Sequence, residues 1–177
     1  MQYECKILIL NGSPRPNGLT AQMIAALREG ALAAGHEVRQ FDVCRMNVHG
    51  CIACEYCHTR GAGRCVQKDD MQEIYPHLRE AETLVLASPI YYHNLSGQLK
   101  CVIDRFYAAL FPEKPEPLKR AVMLLASGDA DVYDGALFSL EGDFADYLQL
   151  ETKYFTAHGG AVPEETLEEI REYGKTL

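Results

Sequence analysis

The sequence has little positive charge and no long hydrophobic run, and these two shortages exclude several kinds of partner. Its 177 residues include 17 lysines and arginines against 25 acidic residues, which gives a net charge of -8 at pH 7. The basic footprint of a nucleic-acid-binding protein is missing, and an anionic membrane surface would repel the chain. The apolar runs have the length of strands and fall far short of the roughly 20 residues that span a bilayer. We therefore expect neither nucleic acid nor membrane as a partner.

A secretory signal is also missing, because the first six residues contain neither a basic region nor an apolar stretch. The seven cysteines are then best explained in a reducing compartment, where clustered thiols indicate metal or redox chemistry more often than disulfides. A cytoplasmic location is the expectation. Cys5, Cys44 and Cys101 lie apart from the cluster and are predicted to be small core residues.

Short apolar runs alternate with helical patterns, and no repeat or low-complexity segment interrupts them. This alternation predicts a single α/β domain over residues 1–177 with a parallel sheet. The predicted strands are Cys5 to Leu10, Glu37 to Val43, Leu84 to Ala87, Ala121 to Ala126 and, on a poorer pattern, Tyr154 to Ala161. Three of them are apolar almost throughout, as strands covered on both faces are. The second alternates between polar and apolar residues and is predicted at the edge.

Apolar residues at helical spacing separate the predicted strands. The strongest stripe runs from Leu95 to Leu110 and predicts one long helix. The other helices are expected at Leu19 to Ala31 with Gly35 as the stop, at Leu137 to Leu148 with an interruption at Gly142, and from Pro163 in a first turn. A further helix is expected to start at Asp69 and Asp70, capped with Glu73, and to be bent or short because of Pro76.

Ligands of open α/β sheets bind at the carboxyl ends of the strands, so the segments that follow the buried strands are the candidate site. The first segment, residues 11–20, joins a strand to a helix and offers backbone N–H groups to an anion. Its side chains Ser13, Arg15, Asn17 and Thr20 add donors for a monophosphate. Neither the P-loop nor the dinucleotide fingerprint matches its glycine spacing. An ordinary strand–helix turn is the alternative.

The second segment, residues 88–94, carries two adjacent tyrosines and could flank a flat aromatic ligand. The alternative is that Tyr91 and Tyr92 pack beneath a loop and that His93 is merely solvated. The third segment, residues 127–129, contributes Ser127 and Gly128. All three segments are rich in small, hydroxyl or amide side chains, and their convergence is the main indication of a binding site.

These motifs resemble the NAD(P)H-dependent FMN reductases, and within them the iron–sulfur flavoproteins. The resemblance rests on residues 11–15, the cysteines, and residues 68–71, 88–91, 96–100 and 103–105. It implies a flavodoxin-like, doubly wound, three-layer fold of strand order 2-1-3-4-5, bound FMN, NAD(P)H as electron donor, and a homodimer or higher oligomer. It assigns the phosphate to Ser13, Arg15 and Thr20. Leu19 is expected in the same cofactor-binding segment, but relatives often carry a polar residue there, which leaves that contact to Asn17 and Thr20. The resemblance assigns the ring to Pro89, Ile90, Tyr91, Tyr92, His93 and Asn94, and the ring's edge to Ser127 and Gly128.

A cysteine-rich loop at about 45–68 contains Cys51, Cys54, Cys57 and, eight residues later, Cys65. This compact spacing is similar to the ligation of a [4Fe–4S] cluster in ferredoxins and in the iron–sulfur flavoproteins. Zinc matches less well, because structural zinc sites pair two short knuckles or add spaced histidines. A [4Fe–4S] cluster and metal-free thiols both stay open at this point.

Three functions follow from these patterns. The first is an FMN-binding oxidoreductase that passes electrons from NAD(P)H or another donor to a small molecule or redox protein. The second is a non-enzymatic electron carrier with flavin, with or without an iron–sulfur cluster. The third is a regulatory metal-binding protein that senses redox state through the cysteine loop.

Overall fold

A twisted parallel sheet flanked by helices forms the centre of the molecule in the computed structural model, which describes residues 6–177. The strands are β1 Lys6–Asn11, β2 Glu37–Phe41, β3 Thr83–Tyr91, β4 Asn94–Leu95, β5 Arg120–Ser127 and β6 Glu151–His158. The order is β2-β1-β3-β5-β6, with the two-residue β4 paired antiparallel to the end of β3. The five parallel strands therefore follow the predicted order 2-1-3-4-5, and β2 lies at an edge as expected.

Helices cover both faces of the sheet and produce the predicted three layers. Their bounds are α1 Leu19–Ala33, α2 Met71–Glu80, α3 Gly97–Asp104, α4 Tyr107–Leu110, α5 Asp134–Ser139, a π-helical segment Leu140–Tyr147, and α6 Glu164–Lys175. One core cluster joins the sheet to α1 and α6, and the other joins it to α2 through α5. Among residues 6–177, no helix is long and apolar enough to cross a membrane.

Three strands differ from the sequence expectation by two residues or more at one end or both. β2 ends at Phe41, two residues before the predicted end, because Val43 begins a short 3-10 turn, Val43–Arg45. β3 continues through Pro89 to Tyr91, so these residues are strand rather than loop. Proline is tolerated there because the pairing with β5 ends at Pro89 and Ala126, and a missing N–H at the end of a ladder costs little. β6 begins at Glu151, three residues before the predicted start. The prediction missed this start because most side chains of the strand are exposed, so the sequence shows no clear apolar run there. Cys5, predicted in β1 and in the core, lies outside the described residues.

The predicted helix from Leu95 to Leu110 is wrong in its continuity. Leu95 belongs to β4, and Ser96 caps α3 by accepting a hydrogen bond from the backbone N–H of Leu99. The chain then breaks at Arg105, whose carbonyl oxygen accepts a hydrogen bond from the Tyr75 hydroxyl at 3.2 Å. The same carbonyl oxygen also accepts the Ala108 N–H at 3.3 Å, so the backbone closes a tight i to i+3 turn here instead of continuing the α-helical pattern.

The predicted cap of α2 is also wrong. Asp70 precedes the helix but makes no side-chain cap, because its carboxylate accepts the backbone N–H of Asn47 at 2.7 Å. α2 is ten residues long with Pro76 inside it, which agrees with the expected short helix. Pro163 precedes α6 instead of lying in its first turn.

The α1 and α6 helices pack at unusually close range because each has a glycine at the contact. A Cβ at Gly30 would lie 1.9 Å from the carbonyl oxygen of Arg171, and one at Gly174 would lie 2.5 Å from that of Leu27. Real Cβ atoms do not approach this closely, so only glycine allows the two backbones to meet here.

Candidate functional site

One cavity at the carboxyl ends of the parallel strands collects residues from all three predicted segments. Its volume is about 370 Å³, which lies within the range of small-molecule sites. It is lined by Ser13, Arg15, Asn17, Gly18, Leu19, Thr20, Gln22, Pro89, Ile90, Tyr91, Ala126, Ser127, Gly128, Gly159 and Gly160. The structure thus brings together ten of the thirteen residues predicted for cofactor binding.

The first wall of the cavity is the turn from β1 into α1, and its backbone is available to an anion. Gly18 precedes the helix and provides no side-chain cap, so no side chain occupies the N–H groups of the first turn. Arg15 and Asn17 are exposed beside this turn, and Thr20 is buried within it. A helix N-terminus flanked by an arginine and a hydroxyl fits a phosphate group.

Hydrogen bonds from β1 and from beyond β2 hold Ser13 in place. The Ser13 N–H donates to Asn11 Oδ1 at 2.9 Å, and Asn11 Nδ2 donates to Asp42 Oδ1 at 3.0 Å. Gln40 Nε2 donates to the same carboxylate oxygen at 2.8 Å. The hydrogen bond from Asn11 is the largest cause that lowers the pKa of Asp42, so this carboxylate stays ionised and fixes the orientation of the Asn11 amide.

Cys44 holds the same residue from the other side. Its thiol donates to the Ser13 carbonyl oxygen at 3.0 Å, and burial raises the pKa of this thiol. Cys44 and Cys101 are half-buried rather than core residues. Cys44 therefore supports the turn from β1 into α1, a role that its isolated position in the sequence does not suggest.

The second wall is the end of β3, and only part of the predicted ring segment reaches the cavity. Pro89, Ile90 and Tyr91 line it, whereas Tyr92, His93 and Asn94 are not among the lining residues. Tyr92 and His93 form the turn between β3 and β4 with φ of 50° and 63°. Side chains rarely adopt this left-handed conformation, and Tyr92 is fully exposed. Contacts of these three residues with a ring stay a prediction.

The third wall consists of the ends of β5 and β6. Ser127 and Gly128 lie there as predicted, and the Gly159 N–H donates to the Ser127 carbonyl oxygen at 3.2 Å. Gly159 and Gly160 were missed because the predicted fifth strand ran through them. Because β6 ends at His158, Gly159 and Gly160 follow the carboxyl end of a strand, where ligands of open α/β sheets bind. Gln22 and Ala126 carry no signal of their own in the sequence.

The four clustered cysteines surround a second, smaller pocket. Cys51, Cys54, Cys57 and Cys65 all line it, together with Tyr75, Arg105 and Tyr107 among others. Burial is the largest cause that raises the pKa of the Cys57 thiol, and the nearby Cys65 and Cys51 raise it further. The thiols surround a volume instead of meeting at a point. Within residues 6–177, no group of three or more His, Cys, Asp or Glu side chains is arranged to hold a metal ion.

A buried ion pair closes the base of the cysteine loop. Arg105 donates to the Asp69 carboxylate through both terminal nitrogens, at 2.7 and 3.1 Å, and also to the His49 carbonyl oxygen at 2.9 Å. The same carboxylate accepts the His49 N–H at 3.0 Å. Burial opposes ionisation of Asp69, but the hydrogen bonds from Arg105 and His49 outweigh it and lower the pKa of this carboxyl. Both ends of the loop are thus fixed to one pair of charges.

Comparison with known proteins places this arrangement in a family. The family model described as NADPH-dependent FMN reductase matches residues 5–159. The chain belongs to the NADPH-dependent FMN reductase family. The resemblance inferred from the sequence motifs is therefore confirmed, and the cavity at the strand ends is the flavin-site candidate of an FMN-dependent oxidoreductase family.

Curated relatives of this FMN reductase family member include an iron-sulfur flavoprotein of Methanocaldococcus jannaschii. It is 37% identical over 124 residues, which cover 70% of this chain and 61% of that relative. The chain thus spans about three fifths of the relative's length. This relative is named for both a flavin and an iron–sulfur group, which agrees with the predicted branch of the family.

Solved structures share the fold of this family member at low sequence identity. The NAD(P)H:quinone oxidoreductase from Methanothermobacter marburgensis has a TM-score of 0.76 at 19% identity, over 97% of this chain and 95% of that one. An FMN-dependent NADH-azoreductase from Bacillus anthracis, in complex with FMN, has a TM-score of 0.68 at 18% identity, over 97% and 96% of the two chains. These similarities confirm the flavodoxin-like fold.

Proposed function

We propose that this protein binds FMN in the cavity at the strand ends and transfers electrons from NAD(P)H to an acceptor. The single observation that carries the proposal is the convergence of the three predicted segments around one cavity of about 370 Å³, in a chain that belongs to an FMN reductase family. The bound flavin would supply the redox chemistry, and the protein would supply position and electrostatics.

Each wall has a defined part in this proposal. The uncapped first turn of α1 and the Arg15 guanidinium bind the phosphate, and Thr20 adds a hydroxyl. Pro89 to Tyr91 would line the part of the cavity that holds the isoalloxazine ring. The glycines at 128, 159 and 160 leave room for the ring, because they carry no side chain that could fill the space. No side chain of the cavity is needed as a general acid or base.

The phosphate assignment is tested by comparing FMN with riboflavin, which lacks the phosphate. Quenching of flavin fluorescence should show tighter binding of FMN than of riboflavin. The Arg15→Gln variant should weaken FMN about tenfold and riboflavin hardly at all, because one charge-assisted hydrogen bond contributes about 1.5 kcal/mol or more. Arg39→Gln removes the same charge from an exposed site on β2 and is the matched control. Absence of FMN binding in the wild type would refute the proposal.

Catalysis and electron carriage are separated by steady-state kinetics. The FMN-loaded protein should oxidise NADPH or NADH continuously when a quinone, a flavin or an azo dye is present as acceptor. A protein that binds FMN tightly but turns over no nicotinamide would be the electron carrier instead. We expect a homodimer or a higher oligomer in the cytoplasm, and size-exclusion chromatography tests the oligomer.

We further propose that Cys51, Cys54, Cys57 and Cys65 hold a [4Fe–4S] cluster. The kind and number of donors support this proposal, since all four thiols line one pocket and four thiolates are the ligands that such a cluster takes. A buried cation at the same pocket, Arg105, fits the negative charge of a thiolate-bound cluster. The name of the archaeal relative agrees with this donor set.

Iron and sulfide analysis after anaerobic purification tests the cluster. The wild type should contain about four irons per chain, since this is the composition of the cluster. Cys57→Ser should lose most of them, and Cys44→Ser, which alters a thiol at the Ser13 turn, should keep them. Wild-type protein that contains zinc without flavin affinity would favour the redox-sensing function, and metal-free thiols would refute the cluster.

A further inference from the structure

Arg105 is a charged side chain at the bottom of the cysteine pocket and is almost completely buried. Only 1% of its side chain is exposed, and its partner Asp69 is 4% exposed. It lies within the apolar stripe of α3 and α4, between Ile103 and the buried Phe106. Removing a charge from water is costly unless its surroundings compensate it, so this position calls for an explanation beyond packing.

The hydrogen bonds of Arg105 are incomplete on one side. Its two terminal nitrogens donate to Asp69 and to the His49 carbonyl oxygen. Its Nε is buried and has no hydrogen-bond partner among the described residues. A buried N–H without an acceptor is unfavourable and uncommon. The side chain lines the pocket that Cys65 and the other three cysteines surround, together with Tyr75.

The charge of the guanidinium persists in this setting. Arginine stays protonated in proteins, and the Asp69 carboxylate pairs with it directly at 2.7 Å. Tyr75 faces the same pocket and donates its hydroxyl to the Arg105 carbonyl oxygen at 3.2 Å. Cation, tyrosine and cysteines therefore form one contiguous group beneath the loop.

We propose that Arg105 is a positioning and tuning residue that stabilises negative charge in the cysteine pocket and thereby raises the reduction potential of the cluster. This inference rests on the cluster proposed above. One-electron reduction adds one negative charge to the group that the four thiolates hold, and the charge and hydrogen bonds around the sulfurs set the potential. A buried cation favours the more negative, reduced state, and Asp69 moderates this effect as its counter-charge.

The two members of the ion pair provide a test by sign. Arg105→Gln removes the cation and should lower the midpoint potential. Asp69→Asn removes the anion and should raise it. Each substitution should change the equilibrium constant for one-electron reduction about tenfold, which corresponds to a shift of about 59 mV in the midpoint potential. Loss of a merely structural clamp would change iron content or stability in the same direction in both variants, but would not shift the potentials in opposite directions.

The experiment is an anaerobic redox titration with dithionite, in which electron paramagnetic resonance follows the reduced cluster. Arg171→Gln is the matched control. It removes the same charge and breaks an ion pair with Glu29 at 2.9 Å, on the opposite face of the sheet, and should leave the potential unchanged.

Shifts of the same sign, or potentials equal to the wild type in both variants, would overturn the proposal. If Arg105→Gln retains no iron, Asp69→Asn decides alone, and a potential that does not rise overturns it. Wild-type protein without iron would instead refute the proposed cluster, which is a separate result obtained before any titration.

Discussion

Gly128 offers a way to block the proposed flavin cavity without disturbing the fold. It lies on the cavity wall, and nothing stands within 4 Å of the position that a Cβ would take. A leucine there would add four carbon atoms, each with a volume close to that of a water molecule, or roughly 120 Å³ in all. That is about a third of the 370 Å³ available. The variant to make is Gly128→Leu.

The expected loss follows from the cost of overpacking. A bound flavin would have to accommodate the new side chain at about 1–3 kcal/mol, which weakens FMN binding about 5- to 150-fold. Stability should not fall, because a side chain in open space at an ordinary φ restricts the unfolded chain and contributes about 0.4–1 kcal/mol to the folded state.

Flavin fluorescence quenching and thermal unfolding measure the two effects separately. Gly142→Leu is the matched control, since a Cβ there also meets nothing within 4 Å and this glycine lies away from the cavity. An FMN dissociation constant within twofold of the wild type in Gly128→Leu would refute the placement of the flavin.

Three further outcomes follow from the packing and the charges. Gly30→Ala should lower the free energy of unfolding by about 1–3 kcal/mol in urea, because the new Cβ would lie 1.9 Å from the Arg171 carbonyl oxygen. This loss is expected although alanine is the better helix former by about 1 kcal/mol. An unchanged urea midpoint would contradict the close helix contact. The pKa of Asp42 is lowered in the folded state. The ionised carboxylate therefore contributes fully to folding stability above an ordinary carboxyl pKa of about 3.9, and this contribution is lost as the pH falls through the lowered pKa. Asp42→Asn should therefore be less stable than the wild type at pH 7, by at most about 1 kcal/mol for so exposed a group, and equally stable near pH 2 in urea titrations; a difference that grows in acid would reverse the assigned sign. Tyr133→Phe should lose about 1–3 kcal/mol in thermal unfolding, because the buried hydroxyl donates to the Ala157 carbonyl oxygen at 2.9 Å; full stability would show that this bond contributes nothing.

Sequence patterns were sufficient for the central strands and for the segments that meet at one cavity. The apolar runs at 84–87 and 121–126 mark strands that are covered on both faces, and such runs need no tertiary information to be recognised. The segments that follow them then mark the cavity, because parallel strands place their carboxyl ends at the same edge. Ten of the thirteen residues predicted for cofactor binding line this cavity, and their contact with a flavin stays a prediction.

The remaining features depend on contacts that are distant in sequence. The turn at Tyr92 and His93 has neither glycine nor asparagine, so the hairpin at the end of β3 gives no turn signal. Arg105 looks like an exposed charge at the end of a helix, and only its pairing with Asp69, 36 residues away, explains why it is buried. The same pair holds the cysteine loop at its base. A pattern of apolar and polar residues along the sequence does not show which distant charges will pair.

The glycine contact between α1 and α6 also constrains the order in which the protein can fold during synthesis. β1, β3 and helices α2 to α4 can begin to pack as soon as residues up to about 110 have emerged, and these helices lie on one face of the sheet. On the other face, α1 is the only helix until residues 164–175 are made, because α6 is the helix that packs beside it at Gly30. The nascent chain therefore carries an uncovered hydrophobic surface through most of its translation, and chaperones that bind such surfaces would find it there.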